Sequence, residues 1–300
     1  MVNQEKIREL AIISLFYDDD LIDMFVLKGG NALNLVYGLN NRSSSDVDVS
    51  MEDDFTPEEL AELVDKLQSS FDAVFSEENL KVFDLRFYAT PGTVPEEYAG
   101  FWGGYTVEFK CIDAANFNAE DIDNTRKRAI VVGERQLKTF KIDISKYEYC
   151  APKEQAELGG FTIYVYTPIM VVIEKLRAIC QQMEEYRLIV RTNRRPRAKD
   201  FFDIYTIVEG WKTPIDLYEP ENVEMLKEVF NIKKVPLEFL GSIVNEREFH
   251  RDSFNNVKDT VSGLRIETYD YYFDYVLKLV EPLSYLWDGS ADDQIAAITE

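Results

Sequence analysis

Asp46 and Asp48 stand one residue apart in the run Arg42-Ser-Ser-Ser-Asp-Val-Asp-Val-Ser50. In an extended strand, side chains two apart point to the same face. The two carboxylates therefore project together, while Val47 and Val49 turn to the core. Like charges in that position repel unless a cation sits between them. A hard divalent ion with oxygen ligands is the natural partner, Mg²⁺ first and Mn²⁺ as the alternative. Just upstream, Phe25-Val-Leu-Lys-Gly-Gly-Asn-Ala-Leu-Asn-Leu-Val-Tyr-Gly38 reads as a strand, a double-glycine turn and one short helix. Gly29-Gly30 lets backbone N–H groups approach a ligand closely, and a helix starting near Asn31 presents its positive end there. Phosphates beside a carboxylate-bound metal ion are the chemistry this pattern describes.

The elements that must position these groups follow from periodicity. Residues 3–17 read as an amphipathic helix with Ile7, Leu10, Ile13 and Tyr17 on one broad face. Thr56-Pro-Glu-Glu opens another: Thr56 as N-cap, Pro57 at the first helical position, Glu59 closing a capping box. Three alternating strands come next. They carry Phe83, Leu85 and Phe87; then Tyr105, Val107, Phe109 and Cys111; then Phe140, Ile142 and Ile144. On the last, Asp143 lies opposite its apolar neighbours and is a candidate third carboxylate. Asp84 and Glu108 compete for that role from the other strands. The stretches 91–104 and 113–123 read as turns and loops, and 161–166 as a last strand.

From Pro168 the period becomes helical and stays so. The boundary falls near 150–167, which predicts domains over 1–166 and 167–300. Ile169, Val172, Ile173, Leu176, Ile179, Cys180 and Met183 form one apolar stripe. Lys175 and Arg177 flank it, so one of them could lean over a cleft with its stem packed. Asp200 and Asp203 share a face of the next helix, while Phe201, Ile204, Tyr205 and Val208 form its core stripe. Asp200 either pairs with Lys175 or an arginine, or complements the helix N-terminus. Beyond about residue 211 the pattern is core: Phe273, Val276, Leu277, Val280 and Leu283 recur at helical spacing.

Composition bounds the function. Hydrophobic content of 46% with 13% aromatic residues predicts a folded globular chain. A net charge of −22 argues against a surface that coats nucleic acid broadly. Against that background, residues 186–199 hold Arg187, Arg191, Arg194, Arg195, Arg197 and Lys199 with no acid. They either dock a triphosphate or an RNA backbone, or balance surrounding acids. The single histidine, His250, leaves almost no room for imidazole catalysis or histidine-rich metal sites. Cys111, Cys150 and Cys180 lack zinc-site or disulfide spacing and read as reduced core residues. No signal-peptide pattern and no run of about 18 uncharged apolar residues is present, so no membrane partner is expected and the cytoplasm is the default location.

Taken together, Lys28-Gly-Gly-Asn-Ala-Leu33, Tyr37-Gly38 and Arg42-x-Ser44-x-Asp46-x-Asp48 resemble the nucleotidyltransferases of the AbiEii/AbiGii toxin family, a branch of the polymerase-β-like superfamily. Lys141-Ile-Asp-Ile144, Glu174-Lys-Leu-Arg-Ala-Ile179 and Arg197-Ala-Lys-Asp-Phe-Phe-Asp-Ile-Tyr205 resemble further parts of it. The usual third residue of the turn is Ser or Thr; here it is Asn31, whose amide can also donate to a phosphate. The resemblance implies an α+β fold: a polymerase-β-like domain with a mixed sheet, then a helical domain, with the nucleotide in the cleft between them. It implies Asp46, Asp48 and Asp143 as catalytic metal ligands. Lys28, Gly29, Gly30, Asn31, Arg42, Ser44, Lys175 and Asp200 become the nucleotide-binding set. The implied reaction moves an NMP from an NTP to an acceptor hydroxyl, on a tRNA 3′ end or a protein. The implied setting is a type IV-like toxin–antitoxin or phage abortive-infection system with a cognate antitoxin protein. Two other readings stay open: a nucleotide-binding regulator without turnover, and an acidic surface that docks a basic protein.

Overall fold

A computed structural model of the chain describes residues 3–39, 46–132, 136–261 and 266–288. It has two compact units that part between Tyr166 and Thr167, with Leu39 grouped in the second.

The first unit is built on one mixed seven-stranded sheet. Its strands are β1 (Val26–Lys28), β2 (Val47–Ser50), β3 (Leu80–Thr90), β4 (Gly104–Asp113), β5 (Phe140–Ser145), β6 (Glu154–Leu158) and β7 (Phe161–Val165). Their order is β3-β4-β5-β2-β1-β7-β6. β2 runs parallel to β5 and β1 parallel to β7; the other pairs are antiparallel. The alternation of the sequence sorts the two faces. Val47, Val49, Val107, Phe109, Ile142 and Ile144 are buried in one core with residues of the helices Gln4–Leu15 and Pro57–Ser76. Phe109 stands at the centre, with ring centroids 5.0 Å from Phe71, 5.5 Å from Phe75 and 5.2 Å from Phe140. The first two are edge-to-face, a geometry that adds about 0.5–1.5 kcal/mol each beyond the buried area. The expected capping box is present: Thr56 Oγ1 accepts from Glu59 N at 3.2 Å, and Thr56 N donates to Glu59 Oε2 at 2.7 Å.

Two elements differ from expectation. β6 was not anticipated, because Glu-Gln-Ala-Glu-Leu lacks the β-branched and aromatic residues that mark strands. Its signal was the turn: Gly159 and Gly160 both have positive φ (+59° and +86°) and join Leu158 to its partner Phe161 in a two-residue hairpin. The second difference is a helix, Ile122–Arg128, which begins inside the expected loop where the Asp121 side chain accepts from Asn124 N.

The second unit is helical. Its longest helices are Pro168–Cys180, Ala198–Gly210, Pro220–Ile232 and Tyr269–Val280. Phe201 and Phe273 stack at 5.0 Å in its core. All three cysteines are buried and free, and burial pushes the Cys111 and Cys150 thiols up to about 12. Among the described residues, no helix is long and apolar enough to cross a membrane.

Candidate active site

Sheet register brings the key groups of the first unit into one line. Lys28 pairs with Asp48, Asp48 with Asp143, Asp143 with Thr106, and Thr106 with Tyr88. Directly paired residues put their side chains on the same face. The row therefore crosses five strands on the face opposite the Val47–Ile142–Val107 core. Asp143 is exposed and Asp48 half-buried; Asp46 is exposed one residue before β2 begins. Thr106 Oγ1 donates to Asp143 Oδ1 at 3.0 Å.

The glycine turn lies against this row. Gly29 has φ +68°, and a Cβ there would stand 3.0 Å from Asp48 Oδ2. A side chain would have to displace the carboxylate or adopt a strained backbone, so glycine is required on both counts. The helical turn starts at Gly29, earlier than expected, and continues as a π-helix over Ala32–Val36. Asn31 is only 2% exposed, and its Nδ2 donates to the backbone oxygen of Asp46 at 2.5 Å. The amide read as a phosphate donor is directed at the main chain that carries the aspartates. Lys28 is 6% exposed, with Nζ 3.7 Å from the buried Glu148 Oε1. Arg42 and Ser44 lie outside the described residues.

The competing acids are neutralised in place. Asp84 sits at positive φ (+52°), where the β3–β4 register shifts. Arg126 grips it with Nε at 2.8 Å and Nη2 at 2.9 Å, and Lys110 Nζ lies at 3.1 Å. Hydrogen bonds from Arg126 outweigh burial and hold its carboxyl at about 2. Glu108 meets Lys141 Nζ at 2.6 Å, and that bond lowers its pKa. Asp143 is met instead by a neutral hydroxyl.

The second unit holds a separate charged cluster. Lys175 is 6% exposed, and its Nζ donates to Asp200 Oδ1 at 3.0 Å and Asp203 Oδ2 at 2.8 Å. Asp200 also accepts from Arg197 Nε, whose backbone N–H donates to His250 Nδ1 at 3.0 Å. Burial alone would lower Lys175, but Asp200 and Asp203 overcome it and raise the ammonium above its ordinary value. Burial alone would raise Asp200; Arg197 and Lys175 reverse that and hold it well below the usual range. Asp200 thus pairs with the lysine and an arginine at once, from the first turn of its helix. Asp203, Arg197 and His250 were missed as members. The three-residue spacing of Asp200 and Asp203 was the available signal for the first. Burial pushes His250 down to about 4.

In the basic segment, three of the six cations are held by acids: Arg187 by Glu184, Arg194 by Glu246 and Arg197 by Asp200. Arg187, Leu188, Arg191, Thr192 and Asn193 line an open cavity of about 620 Å³ together with Glu184 and Glu185.

Among the described residues, no three carboxylate, imidazole or thiolate groups are gathered closely enough to hold a metal ion by themselves. The sheet supplies a pair on adjacent strands, with Asp46 exposed alongside. That donor set fits Mg²⁺, which binds through one or two carboxylates, keeps waters and completes its shell with substrate phosphates. The close approach of the Gly29 backbone to Asp48 leaves the turn amides next to that shell.

A mixed sheet with two acidic strands in register beside a glycine turn is the framework of a nucleotidyltransferase. The family model described as nucleotidyl transferase AbiEii toxin, type IV toxin–antitoxin system, matches residues 13–277. The chain belongs to that family, and it is a nucleotidyltransferase whose family generally uses an NTP and a divalent metal ion. Among solved structures, it is similar to the nucleotidyltransferase toxin MenT4 of Mycobacterium tuberculosis. The match covers 97% of this chain and 85% of that one, at 16% identity and a TM-score of 0.51. This likeness establishes the fold. An antigenic nucleotidyltransferase-like protein of Paracoccidioides brasiliensis aligns over 79% of this chain and 93% of its own, at 14% identity; its TM-score of 0.34 carries no weight. No curated protein matches.

Proposed function

We propose that the protein is a Mg²⁺-dependent toxin that transfers an NMP from an NTP to the 3′-terminal hydroxyl of a tRNA, releasing pyrophosphate. The observation that carries this reading is the pairing of Asp48 with Asp143, with the Gly29 backbone packed against Asp48. Asp48 and Asp143 would hold the metal, with Asp46 alongside and the substrate phosphates and water filling its shell; it would supply charge neutralisation at the triphosphate and activation of the attacking oxygen. Backbone amides of Gly29 and Gly30 take the β- and γ-phosphates. Asn31 keeps Asp46 in place. Lys28 and Arg42 add positive charge to this lining and Ser44 a hydroxyl donor. The acceptor oxygen attacks the α-phosphorus and the bond to the β-phosphate's bridging oxygen breaks. The acceptor's proton passes to Asp143 or to water. A cognate antitoxin protein restrains the activity in the cytoplasm.

The test is label transfer from each α-³²P-NTP with Mg²⁺, with and without total tRNA, beside Asp48→Asn. Labelled RNA that is absent with the variant supports the reading and names the nucleotide. Label on protein instead would replace the acceptor. Mg²⁺-dependent NTP binding with no product under any condition would favour a regulatory nucleotide-binding protein.

A further inference from the structure

We propose that Thr106, backed by Thr90, is a positioning residue that sets the Asp143 carboxylate for metal binding; this rests on the reading of Asp143 as the third carboxylate. Thr106 Oγ1 is 3.0 Å from Asp143 Oδ1, and Thr90 Oγ1 is 2.8 Å from Thr106 Oγ1. An ionised carboxylate only accepts, and a hydroxyl has a single proton. Thr106 therefore gives its proton to Asp143, and Thr90 must donate into Thr106. The result is a directed chain, Thr90 to Thr106 to Asp143.

Three features make this chain an orienting device. Thr106 is 3% exposed, so water does not compete for its hydroxyl, whereas Asp143 is exposed and otherwise able to turn. Thr106 is β-branched on a strand, which stiffens its χ1 and fixes the oxygen in space. The register sets Thr106 directly opposite Asp143 on β4 and β5. Engaging Oδ1 leaves Oδ2 presented outward. The contrast with neighbouring acids is chemical. Asp84 and Glu108 are fixed by cations, which would oppose a metal ion. A hydroxyl orients a carboxylate without neutralising it. Ligand-orienting partners of this kind typically change metal affinity by about 10–100-fold when removed.

The experiment is Mn²⁺ binding to the full chain, followed by electron paramagnetic resonance, in the presence of a non-hydrolysable NTP analogue. Thr106→Val should weaken Mn²⁺ binding about 10-fold or more, and Thr106→Ser should restore it to within about 3-fold. Thr90→Val lies at the exposed end of β3, where folding is not at stake, and should show a smaller loss of about 2–3-fold. Wild-type binding by both valine variants, with Asp143→Asn defective, would overturn the positioning role and leave the Asp143 reading intact. Serine as weak as valine would also overturn it. Normal Mn²⁺ binding by Asp143→Asn would instead remove the reading on which the proposal rests.

Discussion

The carboxylates of the two units live under opposite conditions. Asp200 and Asp203 are buried and face cations of their own unit. Asp143 is exposed and accepts from the Thr106 hydroxyl at 3.0 Å, with the Lys141 charge acting on it at longer range. The first arrangement pairs acids with cations directly; the second sets an acid by a hydroxyl, which suits the metal–nucleotide site proposed above. Acidity alone does not separate the two. The partner does: an ammonium that raises the cost of any disturbance, or a hydroxyl that leaves the negative charge available.

Breaking the closed cluster should give the largest effect. Lys175→Met leaves Asp200 and Asp203 buried without their shared ammonium and should destabilise the second unit by about 3–5 kcal/mol, read by urea unfolding. If stability is unchanged, the cluster is not the interlocked element described here. Acid should sharpen the same contrast. His250 is held at about 4, below its ordinary 6.5. As pH falls, the unfolded chain therefore takes up that proton first. The contribution is complete above pH 6.5 and is lost progressively down to pH 4, by roughly 3 kcal/mol in all. His250→Asn, which keeps an acceptor for the Arg197 N–H, should show a much flatter profile over that window.

The open row should respond in activity instead. Asp143→Asn is expected to lower NMP transfer by about 100-fold or more while shifting the unfolding midpoint little, because an amide oxygen can still accept from the buried Thr106 hydroxyl. Equal losses of activity and stability would erase the distinction between the two regions. The smallest effect is set for Gly29→Ala. Its positive φ and the 3.0 Å approach to Asp48 Oδ2 predict a loss of about 1–2 kcal/mol in stability. Metal affinity should fall with it, since the displaced group is a proposed ligand.

Much of the first unit was legible because β4 and β5 alternate cleanly and its main helix carries a full capping box; in β3 the expected alternation fails, since the register shift after Phe83 sends that ring to a separate small core while Leu85 and Phe87 join the main one. Asp143 could be placed on the correct face from Phe140, Ile142 and Ile144 alone. What the sequence could not reveal was partnership across long separations. Nothing local tells that Arg126 and Lys110 capture Asp84, or that Asn31 turns its amide to Asp46. Lys175 could be placed on a helix flank by spacing, but its burial between two aspartates depends on a second helix and could only be proposed from resemblance. β6 was hidden for the opposite reason: its residues carry no strand preference, and only the turn that follows imposes one.

The β2–β5 pairing also bears on how the protein comes into being. Asp48 and Asp143 are 95 positions apart (143 − 48) and meet only when two distant strands align in parallel. Such non-local pairings form late and slowly, because the intervening chain must first be closed. A ribosome that has released β1, the glycine turn and β2 has made one half of the acidic pair and none of its chemistry. An interrupted or unfinished chain therefore holds Asp48 without its partner, and the acidic pair is complete only once β5 has been made and seated.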